Sequence, residues 1–322
     1  MKLGVLTAAF GNMPFEAMLD TVKAMGLQAV ELPASAYGTS PHCPVGDLLK
    51  SSSLRKRWLD ETAKRGLIIS SLSCHGNPLH PDPAYAANSD AALRKGIILA
   101  QKLGLDRVNG FSGCPGDQTG KSRVPNWVTC PWPPDFLELV AWQWEKKALP
   151  YWSRMAKFAA DHGVKIGFEM HPGFLVYNPE TLLRLRAECG DNLGANFDPS
   201  HLFWQGIDPV EAVRALAGCI WHVHAKDCRV EPAVARVHGV LDTKHYGDEF
   251  NRAWVFRTCG YGHGESFWRD FVSALRLSGY DHVLSIEHED SLMTTTEGIS
   301  KAAAFLQGIL IREPKPTAMH WA

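Results

Sequence analysis

Short apolar, β-branched runs alternate along this chain with longer segments whose apolar residues recur every three or four positions. The runs are 3–8, 29–33, 67–73, 107–111, 164–169, 193–198, 219–224 and 282–287, each compact enough to be a strand buried on both faces. The segments between them, near 14–26, 47–65, 84–103, 134–162, 179–189, 208–217, 266–278 and 294–311, read as helices. In the first, Phe15, Met18, Leu19, Val22 and Met25 form one apolar face, and Gly26 ends it. Pro179 and Pro209 stand where first helical turns favour proline. Eight strands, each followed by a helix, predict an α/β chain folded as a single (β/α)8 TIM barrel over residues 1–322. An open doubly wound sheet is the rival, but it seldom holds eight parallel strands and leaves edges unpaired. No GxGxxG follows the first strand, and no Pro-, Gly- or Ser-rich linker divides the chain.

Two connections are long, about 112–135 after the fourth strand and 227–265 after the seventh. Both leave the C-terminal ends of strands, the face on which barrel enzymes keep their chemistry. Trp127, Trp132, Arg229, Arg236, Arg252, Trp254 and Arg257 suit them to stacking on a ring or to an interface. Arg229 is the substrate-binding candidate among them; surface elaboration is the plainer alternative.

The same face collects charge. Four successive runs end on metal-capable side chains: IGFEMHP on Glu169, GANFDPSH on Asp198 and His201, CIWHVHAKD on His224, and VLSIEHED on Glu287. One such ending means little, since Lys165, Lys226 or a nearby Arg would pair with it. Four in one arc predict a divalent-metal site held by Glu169, Asp198, His224 and Glu287. Three carboxylates and one imidazole suit Mn²⁺ best, with Mg²⁺, Co²⁺ or Zn²⁺ as alternatives, and do not suit a thiolate-rich structural zinc. His75 and Asn77 follow the third strand and face the expected pocket, as substrate contacts or as loop ties. His171 lies two residues beyond Glu169, a candidate base or substrate contact. Lys226 could reach a substrate oxygen or pair with Asp198 or Glu169. His222 shares a side of the strand with His224 but lies deeper, as a core histidine. Cys228 has no activating neighbour, and there is no GxSxG elbow.

Bulk properties remove other classes. A formal charge of −1 and a pI near 6.9 leave no basic footprint for nucleic acid or membrane. No run approaches the length of a membrane span, and the N-terminus serves better as a first strand than as a signal sequence. The eight cysteines are scattered without CxxC and read as reduced thiols. The expected compartment is the cytoplasm.

The DPSH of 198–201, the HAKD of 224–227 and the IEHED of 286–290 resemble the xylose isomerase-like, or endonuclease IV-like, barrel superfamily. The likeness covers most of the chain and is specific for fold and metal, less so for substrate. In the epimerase branch one metal is held by residues that correspond to Glu169, Asp198, His224 and Glu287. The two glutamates there also act as acid and base on opposite sides of a substrate carbon. His201 corresponds to a contact of substrate oxygen in that branch, and to a further metal ligand in the endonuclease branch. That second branch needs extra histidines; here the fourth strand runs into Asn109-Gly-Phe-Ser and the segment before the seventh helix reads GYGHGE. His75 and His263 alone do not complete its trinuclear set, and phosphodiester cleavage is not expected.

The resemblance implies a metal-dependent keto-sugar isomerase or epimerase. It would abstract a proton next to a carbonyl through a metal-stabilised enediolate, with Glu169, Glu287, His171 and Lys226 as catalytic candidates. The rival is a lyase on 3-keto-glycosides using the same proton abstraction, suggested by the long segment around HGVLDTKHYGDEFNRAWVFR. A homo-oligomer is expected, and the lyase members imply a small β-rich partner subunit. A metal-stabilised, non-catalytic sugar-binding barrel is the third class. No phosphate-binding loop supports a phosphorylated substrate.

Overall fold

The computed structural model describes residues 1–11, 13–38 and 40–314; the stretch 315–322 of the expected unit lies outside them. Eight parallel strands close into a barrel: β1 (Lys2–Leu6), β2 (Ala29–Pro33), β3 (Ile68–Ser73), β4 (Arg107–Gly110), β5 (Lys165–Glu169), β6 (Leu193–Phe197), β7 (Ile220–Ala225) and β10 (Val283–Ile286). Going round, β10 lies between β7 and β1, so β5, β6, β7 and β10 are consecutive staves. All eight expected strands are present, with ends displaced by at most two residues. A short antiparallel hairpin, β8 (Asp227–Val230) with β9 (Trp254–Arg257), stands outside the barrel sheet.

The helices are α1 (Phe15–Ala24), α2 (Val45–Lys50), α3 (Ser52–Lys64), α4 (Pro83–Leu103), α5 (Asp135–Trp142), α6 (Leu149–Asp161), α7 (Pro179–Cys189), α8 (Ser200–Phe203), α9 (Pro209–Ala215), α10 (Pro232–His238), α11 (Glu265–Leu277) and α12 (Thr295–Gln307). Two depart from expectation. The segment 47–65 is broken at Ser51, whose hydroxyl caps α3 by accepting from Leu54 N. The segment 134–162 carries a π turn over Gln143–Ala148, directly before Pro150. Proline has no N–H and crowds the carbonyl four residues back, and a wider turn relieves both. No helix among the described residues is long and apolar enough to cross a membrane.

The apolar core lies between the barrel wall and the helices. Phe168 of β5 meets Trp152 of α6 edge-on at 4.6 Å, and Phe197 of β6 meets Phe271 of α11 at 5.6 Å. The barrel's own interior is different, because polar side chains bridge non-adjacent strands there. Asn109 Nδ2 on β4 donates to Glu31 Oε1 on β2 at 2.8 Å, across β3. Gly167 on β5 allows this: a Cβ there would lie 2.8 Å from Asn109 Oδ1.

The long connections are ordered. After β4, Gln143 Nε2 donates to the carbonyls of Gly116 and Asn126, pinning 112–135 to the π turn. After β7, the insertion 227–265, expected as a loop, contains the hairpin β8–β9 and α10. Trp204 and Trp254 stack at 4.7 Å in a small apolar cluster of its own. Buried Asp227 accepts from the backbone N–H groups of Gly260, Gly262 and His263, returning the chain to α11.

Candidate metal centre

β5 ends on Glu169, β6 runs into Asp198, β7 carries His224, and β10 runs into Glu287. Because these are consecutive staves, the four side chains converge: one ligand-capable atom from each lies within 4.8 Å of every other. His224 Nδ1 stands 3.0 Å from Glu287 Oε2 and 3.5 Å from Glu169 Oε2. An ion with bonds of about 2.1 Å sets neighbouring ligand atoms about 3.0 Å apart in an octahedron and about 3.4 Å in a tetrahedron. The spacing suits either.

Two oxygens of this group accept no hydrogen bond although they are buried, Asp198 Oδ2 and Glu287 Oε2. Lys226 Nζ lies 3.1 and 2.9 Å from them, close enough for ion pairing but at angles that make no hydrogen bond. Asp198 is aimed by its own turn: Oδ1 accepts from Ser200 N at 2.8 Å at the start of α8, leaving Oδ2 toward the cluster. Buried carboxylate oxygens that accept no hydrogen bond are costly even beside an ammonium, and a metal cation among them satisfies them. The donor set, three carboxylates with one imidazole, fits a divalent ion of the Mg²⁺–Mn²⁺–Zn²⁺ range.

The two glutamates differ. Glu169 is almost wholly enclosed, with His201 Nε2 donating to Oε1 and His75 Nε2 to Oε2, each at 2.9 Å. Burial opposes its charge, yet the bonds from His201 and His75 hold its pKa well below the ordinary carboxylate value. His75 is fixed in turn by Ser73 Oγ, 2.6 Å from Nδ1. Glu287 keeps 16% of its side chain exposed and faces Lys226 and His224. Burial raises its pKa, but those two charges prevail and bring it to about 2. Asp198 goes the other way, to about 7, because burial and then Glu169 and Glu287 outweigh Lys226.

Lys226 is buried and also bonds Glu289 Oε2 at 3.0 Å, with its ammonium 4.7 Å over the Phe256 ring of β9. These carboxylates hold it protonated despite burial. His171 lies against His201, ring centres 4.1 Å apart, with Nδ1 donating to Pro172 O at 2.6 Å. Phe111 and Phe174 stack at 4.3 Å, and His75 meets Phe111 edge-on, so an aromatic wall flanks the carboxylates. Beside His75 opens a cavity of about 340 Å³ lined by Ser35, Tyr37, Ser73 and Leu6 among others, neutral polar and apolar in character.

Other expected residues stand elsewhere. Asn77 bridges the loops after β3 and β4: Nδ2 donates to Cys114 O, while Oδ1 accepts from Cys114 N and Leu79 N. Both ends of its amide are thus engaged with backbone. Arg229 is about half exposed and pairs with Glu231. His263 is bound by Asp227 Oδ1 at 2.8 Å and stacked on Phe203, outside the carboxylate cluster. Burial pushes the Cys43 and Cys114 thiols up to about 12, and all eight cysteines are free.

A family model described as xylose isomerase-like TIM barrel matches residues 19–309. The chain belongs to that family. YfiH of Bacillus subtilis (strain 168), itself uncharacterized, is 39% identical over 310 residues, 95% of this chain and 98% of that protein. An inosose dehydratase of Clostridium botulinum (strain Alaska E43 / Type E3) is 36% identical over 80 residues, 24% of this chain and 27% of that one. Among solved structures, L-ribulose 3-epimerase superposes with a TM-score of 0.60 at 19% identity, over 96% of this chain and 94% of that one. The IolI protein with a bound zinc atom does so with a TM-score of 0.62 at 20% identity, over 96% and 98%. At such identities the shared property is the fold.

Sequence reading passed over Glu31. It is fully buried inside β2, and His224 Nε2 lies 3.1 Å from its Oε2. The available signal was a charged residue inside the apolar run AVELP. Glu289 and Phe256 were missed as well; both touch Lys226 through chain reversals that no local pattern announces.

Proposed function

We propose that this chain is a divalent-metal-dependent enzyme that abstracts a proton next to a carbonyl of a keto-sugar or sugar derivative, as an epimerase or isomerase. The observation that carries the reading is the pair Glu169 and Glu287. They occupy the first and last of four consecutive staves, in a cluster where two buried carboxylate oxygens accept no hydrogen bond. Epimerases and a dehydratase among the similar proteins support a sugar substrate. Glu169, Asp198, His224 and Glu287 would hold the ion, most simply Mn²⁺. When bound it supplies Lewis-acid stabilisation of negative charge on substrate oxygens.

The chain's own groups divide the remaining work. Glu287, the more open glutamate and ionised through Lys226 and His224, is the base that takes the proton from carbon. Glu169, held ionised by His201 and His75, faces the carbon from the other side; it first takes a proton from solvent, passes that proton to carbon, and Glu287 releases to solvent the one it removed. Lys226 steadies a substrate oxygen as charge grows, and His171 and His201 contact hydroxyls. The aromatic wall of Phe111 and Phe174 takes an apolar sugar face and helps exclude water. Asn77 and Arg229 serve the loops in this reading.

A lyase reading is favoured by one observation, the local match to inosose dehydratase. Lys226 would then protonate a leaving oxygen, on a 3-keto-glycoside or an inosose. A homo-oligomer belongs to the first reading; a small β-rich partner subunit belongs to the second.

One experiment tests both. Protein loaded with Mn²⁺ is incubated in D₂O with ketohexoses, a 3-keto-glucoside and an inosose, and followed by proton NMR. Deuterium entering at the carbon beside the carbonyl is the expected result. An epimer then supports the first reading, and a dehydrated product or free aglycone the second. No exchange with any of them sinks proton abstraction from sugars.

A further inference from the structure

We propose that Glu31 is a positioning residue that aims His224 at the ion from behind, an inference that rests on the ion site proposed above. His224 stands between two groups of carboxylates. Its Nδ1 faces Glu169 and Glu287, and its Nε2 faces Glu31 Oε2 at 3.1 Å. The two sides differ in saturation. Glu31 also accepts from Ser285 Oγ at 2.9 Å and from Asn109 Nδ2 at 2.8 Å, and none of its oxygens is unpaired. His222, 3.7 Å from the same carboxylate, has Asn196 Oδ1 at 3.0 Å from Nδ1 and Ser70 Oγ at 3.3 Å from Nε2. On the Nδ1 side, Asp198 Oδ2 and Glu287 Oε2 lack hydrogen bonds.

Glu31, His222 and His224 also lie close enough together to hold a metal. Their lone pairs and protons are nevertheless spent on one another and on Ser70, Asn109, Asn196 and Ser285, in a region with no solvent exposure. On this side Glu31, His222 and the Nε2 of His224 are all engaged, with Asn109 Oδ1 alone left over, and the other side is the open donor set. A carboxylate acceptor at Nε2 requires Nε2–H. By the same rule Glu287 keeps a proton on Nδ1 while no ion is bound; an ion takes that proton's place, and the Nε2–H bond to Glu31 makes the freed Nδ1 lone pair more basic. Its donors reach Glu31 from β4, β7 and β10, so the imidazole is anchored to three other staves at once.

Glu31→Gln removes the charge and keeps the shape. Asn109 Oδ1 is buried without a partner, so a turn of the Asn109 amide would accept from the new amide and preserve the fold. Metal-free wild type and Glu31→Gln are titrated with Mn²⁺, reading free ion by electron paramagnetic resonance. A parallel titration with Co²⁺ reads the visible spectrum. Expected are one ion per chain in both, a Kd raised about 10- to 100-fold in the variant, an altered Co²⁺ spectrum and an unchanged metal-free Tm. Partial recovery of affinity in Glu31→Asp, which keeps the carboxylate, would support the charge as the cause. Equal Kd and equal spectra overturn the proposal. Two ions in wild type and one in Glu31→Gln overturn it differently, by making Glu31 a ligand. No ion in wild type removes the site itself, which is a separate failure. If Glu31→Gln does not fold, Ser285→Ala withdraws one donor from Glu31 Oε2 and is expected to raise Kd about 3-fold; no change there overturns the positioning role.

Discussion

On β5, Phe168 meets Trp152 outside the barrel wall, while the next residue, Glu169, meets His75 and His201 inside it. β6 repeats the contrast, with Phe197 against Phe271 outside and Asn196 beside His222 inside. One strand thus serves two regions governed by different physics. Outside, burial of apolar area is non-directional, and a changed side chain costs roughly what its volume and lost contacts dictate. Inside, each polar atom needs a partner at the right distance and angle, and one loss leaves another group stranded. Under the proposed function, stability resides in the first region and chemistry in the second. Substitutions on neighbouring residues of one strand should therefore fail in different ways.

The largest separation is expected from Glu287→Gln. Carbon-bound deuterium exchange should fall by about 10³-fold or more, while circular dichroism and the metal-free Tm stay near wild type. Near-normal exchange would dissolve the contrast, since the inner face would then carry no essential base. Its counterpart is Phe168→Ala, a cavity on the outer face. Urea unfolding should show a loss of about 3–5 kcal/mol, with the Mn²⁺ affinity of the folded fraction unchanged. A loss of affinity without loss of stability would show that the two faces are not independent.

Metal removal is the next effect in size. An ion present at 100 times its Kd adds about 2.7 kcal/mol, so chelation should lower Tm by about 5 °C. Asp198→Asn should abolish most of that difference, because it removes the charge from one of the two buried oxygens that accept no hydrogen bond. A chelation shift that survives in Asp198→Asn would place the ion elsewhere.

The smallest effect sharpens the comparison at the opposite end of the barrel. His282 Nε2 donates to Ser70 O, and burial, then the Arg107 charge, hold its pKa down to about 4. Between 6.5 and about 4 the unfolded chain binds a proton that the fold refuses, so stability falls as pH drops through that window. The contribution is at most about 1.4 kcal/mol per pH unit. His282→Gln should flatten the slope of stability against pH there, with Mn²⁺ affinity at neutral pH untouched. An unaltered slope would mean that other groups set it.

The strands were legible because each is a short apolar run, and the barrel followed from their number and from the helix after each. Glu169, Asp198, His224 and Glu287 were legible as charges that end such runs. Glu31 was not, for a physical reason: a single charge inside AVELP has no local cause, and its partners lie 78, 193 and 254 residues away. The hairpin β8–β9 escaped notice because its two four-residue strands stand far apart along the chain and meet only in the fold, where Trp204 packs on Trp254. Asn77 was read as a substrate contact or a loop tie, a choice local sequence could not make; its amide bonds the backbone of Cys114 and Leu79.

The amino-acid order alone determined the alternation of strands and helices, the closed barrel and the four charged strand ends, since these depend on periodicity and on neighbours within a few positions. Tertiary structure alone decided which carboxylate is open and which enclosed, which nitrogen of His224 faces the cluster, and which oxygens accept no hydrogen bond. Those properties arise only when staves distant in sequence close into one ring, where a side chain's charge is set by what stands across the barrel from it.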